Sequence, residues 1–473
     1  MDFLKLLLQA FSRDDLCRVE EAVCQILNKI GIHVMDDILR DKLEKIGYRS
    51  KGKRICVDPK SVQEFLEEER ERNGRQYGLE PKISRNKPLT VGINDYIQNI
   101  HNCETDSIEP FTTQSLIKAT KFLDVLYDRG VISGSPGLPS DVPAPLQPVL
   151  QYWIAATYAR HGKHPMDPKY VKSFPFMREM SEVLGYPLKT LDVWVISPLT
   201  LGGNSLESVL CHADKLETVR VSNMGSIGST LPVNLGDAFA VSVAEVIGST
   251  ILLREVLNVS LSWRSFFLPT DFRSAAMVIG SPESILLGIL SGQVNAFMQG
   301  RRWYPEMAHC MMTMAKLPCA QSCAEKASGM TAGAILGQSE FVYGGSLSLD
   351  EVFSAEQLIY DLEIRDHVQR IIDFNAEACN TERCIEDVRG AIEQGSFLGL
   401  ESTLNSFRNY FWDPLLFERS ALNTWKLQGE PKMRKKTRNM IEELSLQHEY
   451  ELEPDLQKAI DRIFNRAKTE FVS

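Results

Sequence analysis

Hydrophobic positions recur at helical spacing through the first 75 residues. Val19, Val23, Ile26, Leu27 and Ile30 follow Asp14 and Asp15, and Gly31 comes next as a stop. A second short helix is predicted from about Met35 to Ile46, ending at Gly47. A third, Lys60 to Arg72, starts behind Asp58-Pro59, and its EEERER run reads as a solvated face. Between about residues 80 and 110 the pattern shortens to β pieces, LTVGIND and YIQNIHN, which suit a hairpin or a layer beneath a barrel. After residue 112 helical stretches at 113–128, 147–161, 170–185, 204–215, 236–256, 282–299, 320–336 and 354–375 alternate with short strand candidates. These are VISGSP, DVWVISPL, ETVRVSNM, NVSLSWRSF and EFVYGG, with weaker ones near Met166 and Tyr304. Alternating β and α units predict a parallel sheet with helical crossovers, and seven or eight of them suit a closed barrel.

The predicted fold is therefore α/β: a (β/α)8 TIM-type barrel with an N-terminal helical and β extension and C-terminal helices. The expected divisions are 1–112 for an extension packed on the barrel, 113–375 for the barrel and 376–473 for a C-terminal helical segment. An open doubly wound sheet would carry a glycine-rich loop after its first strand. GSIGST, Gly225 to Thr230, lacks both the lysine of a P-loop and the third glycine of a dinucleotide fingerprint.

Composition narrows the function. Hydrophobic residues are 44% of the chain and charged residues 24%, an ordinary globular balance, and the formal charge of −10 argues against nucleic acid. Ten scattered cysteines form no CxxC pair, and MDFLKLLLQAF carries Asp2 and Lys5 without a small-residue cleavage site. Both features suggest a reducing, cytoplasmic setting. Ser284 to Gly300 is too short and polar to span a membrane.

Catalytic constellations are sparse. His161 and His164 sit at i and i+3 and read as loop residues, and Cys319 and Cys323 at i and i+4 read as small core residues. No metal set, GxSxG, HExxH or P-loop occurs. In a parallel barrel the site lies at the C-terminal strand ends. The candidates there are Ser133, Ser135 and Asp141, Ser197 and Pro198, Asn223 and Met224, Trp263 to Ser265, His309, and Tyr343 to Gly345. In NVSLSWRSF, Val259, Leu261 and Trp263 point one way and Ser260, Ser262 and Arg264 the other; the small serines suit a crowded barrel axis.

Five segments in order carry a family resemblance. GSIGSTLPVNLGDAFAVSVAEV ends in the pair Ala244-Glu245, and DFRSAAMVIGSPES follows it. TMAKLPCAQSCAEK, SLDEVFSAEQLIYDLEI and GSFLGLESTLNSFRNYFWDPLLFERSALNTW complete the set. Together they resemble the trimethylamine methyltransferase family over essentially the whole chain, and, since no non-standard residue appears, its branch without pyrrolysine. The resemblance implies a (β/α)8 barrel that moves a methyl group from a methylated amine to Co(I) of a corrinoid carried by a separate protein. The branch is associated with quaternary amines, glycine betaine being the best single candidate. Met314 and Cys319 stand at two Asp positions of the family block, and Ser402 where many members have His.

On this basis no catalytic residue, metal or cofactor is expected from the chain itself, because the nucleophile comes with the partner. A quaternary ammonium leaves as a neutral amine and needs no general acid. Arg264 is expected to receive a substrate carboxylate, Trp263, Tyr96 and Tyr343 to flank the trimethylammonium, and Asn223, Ser229 and His309 to orient it. The expected partners are a cognate corrinoid protein and a small quaternary amine, without nucleic acid or membrane; a homo-oligomer stays open. Three rivals stay open too: a non-catalytic binding barrel, a methyltransferase for proline betaine or carnitine, and a barrel lyase with a phosphate nest at Val342–Ser346.

Overall fold

The computed structural model describes residues 11–75, 87–306 and 310–472. Besides shorter parallel pairs, six of its parallel strands form two groups of three. In chain order they are β1 (Thr90–Gly92), β2 (Val131–Ile132), β3 (Thr190–Val195), β4 (Thr218–Asn223), β5 (Ser260–Arg264) and β6 (Glu340–Phe341). β4 lies between β3 and β5, and β1 lies between β6 and β2, with every one of these pairings parallel. The chain is thus a mixed α/β protein built on two arcs. Among the described residues the ladders do not join into a closed barrel.

Of the two readings left open for LTVGIND, a hairpin or a layer beneath a barrel, the hairpin does not form. Thr90–Gly92 pairs with two strands distant in the chain, so parallel architecture begins ahead of residue 113. Local alternation looks the same in a hairpin strand and a barrel strand; only the remote partner distinguishes them.

Helices cover the apolar face of each arc. Helix α1 (Leu235–Arg254) is buried on nearly all sides. It packs with Val193 and Val221 of the strands, and with Val23 and Leu27 of the N-terminal helix Arg13–Lys29. Its length and apolar content alone would allow it to cross a membrane, but here it is the central helix of the core. The second arc packs Val91, Val131 and Phe341 against α2 (Ala320–Ile335) and α3 (Ala355–Asp373) through Met330, Leu358 and Ile359.

The N-terminal helices start and stop where side-chain caps dictate. Ser12 and Asp15 form a reciprocal capping box, Asp36 and Asp58 accept from the first-turn amides of the next two helices, and Gly47 closes one of them at φ 115°. Beyond α3 come α4 (Thr381–Gln394) and α5 (Glu401–Tyr410), then further helices ending with Pro454–Val472, which packs back on the first core through Ile460 and Ile463.

Candidate functional site

The arc β3–β4–β5 has two chemically opposite faces. Leu191, Val193, Val219, Val221 and Trp263 are buried against helices. The other face is polar and reads in register rows across the three strands. One row is Asp192, Arg220 and Ser262; the next is Trp194, Ser222 and Arg264. With strands about 4.8 Å apart, Trp194 and Arg264 stand on either side of Ser222, about 10 Å from each other.

Arg220 binds Asp192 through two contacts, Nε to Oδ1 at 2.5 Å and Nη2 to Oδ2 at 2.9 Å. Its side chain nevertheless keeps 60% of its surface accessible, so side chains do not fill this face and solvent reaches it. Arg264 Nε donates to Ser222 Oγ at 3.4 Å, and its guanidinium lies 5.3 Å from the centre of the Phe266 ring. Among the described residues Arg264 has no carboxylate in ion-pair range.

Loops add the remaining groups. Tyr96 donates its hydroxyl to Asp167 Oδ2 at 2.7 Å, and the Lys169 ammonium lies 4.2 Å from the centre of the Tyr96 ring. The backbone N–H of Lys169 donates to Asp167 Oδ1 at 2.9 Å. Burial pushes the Asp95 carboxyl up to about 6; the charges of Asp167 and Asp192 push the same way and Lys169 opposes them. Burial lowers Lys169, against the pull of Asp95, Asp167 and Asp350. Burial also raises Asp350, which accepts from Asn94 Nδ2 at 3.3 Å. The phenol of Tyr343 is held far above its ordinary range by burial, reinforced by Cys310, Asp350 and Asp95 and opposed by Arg264. These mutual effects put Asp95, Tyr96, Lys169, Asp192, Tyr343 and Asp350 within electrostatic reach of one another, as one polar group.

A buried ion pair supports the Tyr343 loop. Tyr343 has φ 68° and Gly345 φ 70°, left-handed conformations that cost a tyrosine energy and a glycine very little. Lys326 Nζ lies 2.6 Å from Asp361 Oδ2, both side chains being fully buried. The same oxygen accepts from Gly345 N–H at 2.6 Å, and Gln357 Nε2 donates to Oδ1 at 2.8 Å. Lys326 Nζ also reaches the Tyr343 carbonyl at 3.5 Å.

Glu245 is a second buried brace. It accepts from Ser197 Oγ, Leu199 N–H and Asn223 Nδ2 at 2.7, 3.0 and 2.6 Å, tying the ends of β3 and β4 to α1. Burial raises its carboxyl and those three hydrogen bonds oppose the rise.

The residues expected from sequence divide accordingly. Tyr343 is within electrostatic reach of Arg264 and Asp95, and Tyr96 of Asp95. Trp263 does not join them: it is 5% exposed in the core, on the face opposite Arg264, because neighbouring residues of a strand point to opposite sides. Asn223 is fully buried and spends its amide on Glu245 and Ser242. Ser229 is exposed in a turn, its N–H bonded to the Ser226 carbonyl. His309 lies outside the described residues. Of the departures from the family pattern, Met314 packs in an apolar cluster with Tyr343 and Cys310. Cys319 is exposed at the start of α2, and Ser402 of α5 bonds Asp387 of α4 at 2.7 Å. His161 and His164 stack with ring centres 5.0 Å apart; no cluster of three or more His, Cys, Asp or Glu suited to a metal occurs among the described residues.

Sequence reasoning missed Asp95, Asp167, Lys169, Asp192, Trp194 and Arg220. The alternation in DVWV and TVRVS carried part of the signal, since it puts Asp192, Trp194 and Arg220 on the face opposite the valines.

Parallel strands that carry a polar face, with aromatic, acidic and basic groups gathered at it, define a mixed α/β protein with a candidate functional site there. The sequence model of the family described as "Trimethylamine methyltransferase (MTTB)" matches residues 178–472, and the chain belongs to that family. It is 24% identical over 292 residues to trimethylamine methyltransferase MttB1 of Methanosarcina acetivorans, a match spanning 60% of this chain but only 57% of that relative. It is 22% identical over 433 residues to the glycine betaine methyltransferase of Desulfitobacterium hafniense strain Y51, covering 88% of each. The crystal structure of the Methanosarcina barkeri monomethylamine methyltransferase aligns with a TM-score of 0.47 at 11% identity, over 92% of this chain and 88% of that one.

Proposed function

We propose that the protein transfers a methyl group from a quaternary amine carrying a carboxylate, with glycine betaine the best single candidate, to the Co(I) of a separate corrinoid protein. The observation that carries this is the row Trp194–Ser222–Arg264. It sets an aromatic face and an arginine with no carboxylate partner among the described residues at opposite ends of one open polar surface. An aromatic face attracts a trimethylammonium, and a guanidinium attracts a carboxylate. Tyr96 and Tyr343 extend the aromatic wall, and the acidic groups Asp95 and Asp350 favour the cation. The match to the glycine betaine methyltransferase over 88% of both chains supports the same substrate class.

In the reaction, cobalt attacks the methyl carbon and the C–N bond breaks. The electron pair stays on nitrogen, and the tertiary amine leaves neutral. The chain's own residues bind and orient; they move no proton. The proposal treats the two arcs as parts of one eight-stranded barrel, β6–β1–β2 and β3–β4–β5. The segments near Met166 and Tyr304 fill the two positions between them, and the parallel bridge from Cys310 to Val342 supports this order on one side.

The test mixes the protein with reduced corrinoid protein and a panel of amines while the Co(I) absorbance is followed. Glycine betaine is expected to bleach the signal, and trimethylamine to leave it unchanged. A comparable rate with trimethylamine sinks the substrate class, and no rate with any amine sinks the activity.

A further inference from the structure

The segment after α3 is an ordered arm with an apolar surface that nothing among the described residues covers. It leaves the body at Phe374, runs through α4 and α5, and returns at Leu415–Phe417. Its return is firmly fixed. The fully buried Glu363 carboxylate accepts the N–H groups of Leu415 and Phe417 at 3.1 and 2.9 Å, Leu416 enters the second core, and His367, Trp412 and Phe417 stack edge to face. The arm is also internally ordered. Asn380 caps α4, Gly395 ends it at φ 74°, and Ser402 bonds Asp387.

The arm's apolar side faces outward. Ile385, Val388 and Ile392 recur at helical spacing on α4, and Leu404, Phe407 and Phe411 on α5 and its end, yet all are exposed. Ala391 is the one buried residue of α4. Nine large apolar residues of the arm, from Ile385 to Phe411, are exposed. At roughly 100 Å² each they offer on the order of 1,000 Å², more than the ~800 Å² that one partner contributes to a standard interface. A lone amphipathic helix pair does not remain in water with that face bare.

We propose that this arm is a homodimer interface, its apolar face covered by the same arm of a second copy of the chain. Three considerations favour a second copy over another protein. So apolar a face belongs to a permanent partner, since a transient one must be soluble alone. The root of the arm lies at the N-terminal strand ends: Gln369 of α3 accepts from Leu89 N–H at 2.7 Å, just ahead of β1. That end is opposite the C-terminal ends, where a partner must reach the polar group. Finally, a single surface that pairs with itself about a twofold axis closes and leaves no free copy.

The experiment is sedimentation velocity on the full chain across about a hundredfold range of concentration. The expected species has twice the 53.3 kDa chain mass. The double variant Ile392→Glu/Leu398→Glu should associate at least about a hundredfold more weakly, while Ile392→Leu/Leu398→Met stays paired. Hydrogen exchange on the unmodified chain guards against misfolding of the variants: amides of α4 and α5 should lose protection on dilution and those of β3–β5 should not. A monomer throughout, an assembly that both glutamates leave intact, or arm protection indifferent to dilution would each overturn the proposal. So would a monomer whose arm is captured only by a different protein.

Discussion

The two arcs contribute to the same polar group by different means. In β3–β4–β5 the strands are five or six residues long, and register alone aligns Asp192 with Arg220 and Trp194 with Arg264 across Ser222. In β6–β1–β2 the strands have two or three residues, and the site groups Asp95, Tyr96, Tyr343 and Asp350 sit on the loops that follow. A ladder fixes its side chains by backbone hydrogen bonds that every residue supplies. A loop fixes them only where specific side chains hold it, here Lys326, Gln357 and Asp361. The first arc should therefore tolerate substitution of its inner residues with local effects, and the second should fail at a distance when its brace is cut.

The brace gives the largest expected effect. Lys326→Met leaves Asp361 charged and unpaired in a fully buried place, which costs about 3–5 kcal/mol. Thermal or urea unfolding should show that loss. The double variant Lys326→Met/Asp361→Leu should recover part of it, because no lone charge remains. Tyr343 then loses its support, so catalytic efficiency should stay low where stability returns. Full activity in the double variant would mean that the brace does not position the loop.

In the register-built arc the effect should be local and smaller. Arg264→Ala should raise KM for a carboxylated betaine about tenfold or more, the loss of one charged hydrogen bond worth at least about 1.4 kcal/mol. A carboxylate-free quaternary amine should barely notice. Equal losses on both substrates would remove Arg264 from carboxylate binding. At the other end of the row, Trp194→Ala should weaken binding of both amines alike, by about threefold to tenfold, because the aromatic face meets the cation they share. Trp263→Ala is the contrasting control: a core truncation of about 3–5 kcal/mol that unfolds the protein at lower temperature without discriminating between substrates.

The same contrast explains what the sequence disclosed. Alternation in NVSLSWRSF placed Arg264 opposite Trp263, and the structure keeps them on opposite faces; assigning both to one substrate contradicted that alternation. Asn223 ends a strand and so seemed available, but a strand end also meets the following helix, and a helix carrying Glu245 claims the amide. Motif carboxylates such as Glu245, Asp361 and Glu363 prove to be buried braces, a role that one-dimensional spacing cannot separate from chemistry. Asp95 and Lys169 escaped because loops have no periodicity: which loop groups converge depends on strand order, and that follows from pairings between residues more than two hundred positions apart.

The smallest effect is the most diagnostic of the loop-built side, because it reads a charge. Asp95 has its carboxyl pushed up to about 6, chiefly by burial, so it changes charge between about pH 5 and 7. Its ionised form attracts a quaternary ammonium and its protonated form does not. Affinity for the amine should therefore tighten as pH rises through about 6, by roughly threefold to tenfold, the scale of a partly screened charge pair of about 1 kcal/mol. Binding near pH 6 should release a proton, visible as a buffer-dependent enthalpy in calorimetry. Stability runs the opposite way. The folded carboxyl holds its proton more tightly than the unfolded one at 3.8, so its contribution is full below that value and disappears as pH rises through about 6. Asp95→Asn should flatten both profiles, removing the rise in affinity and the fall in stability over the same interval. On the register-built side the corresponding carboxylate, Asp192, is tied by two hydrogen bonds to Arg220. An affinity profile in Asp95→Asn that still bends near pH 6 would transfer the titration to another group and leave Asp95 without a part in binding the cation.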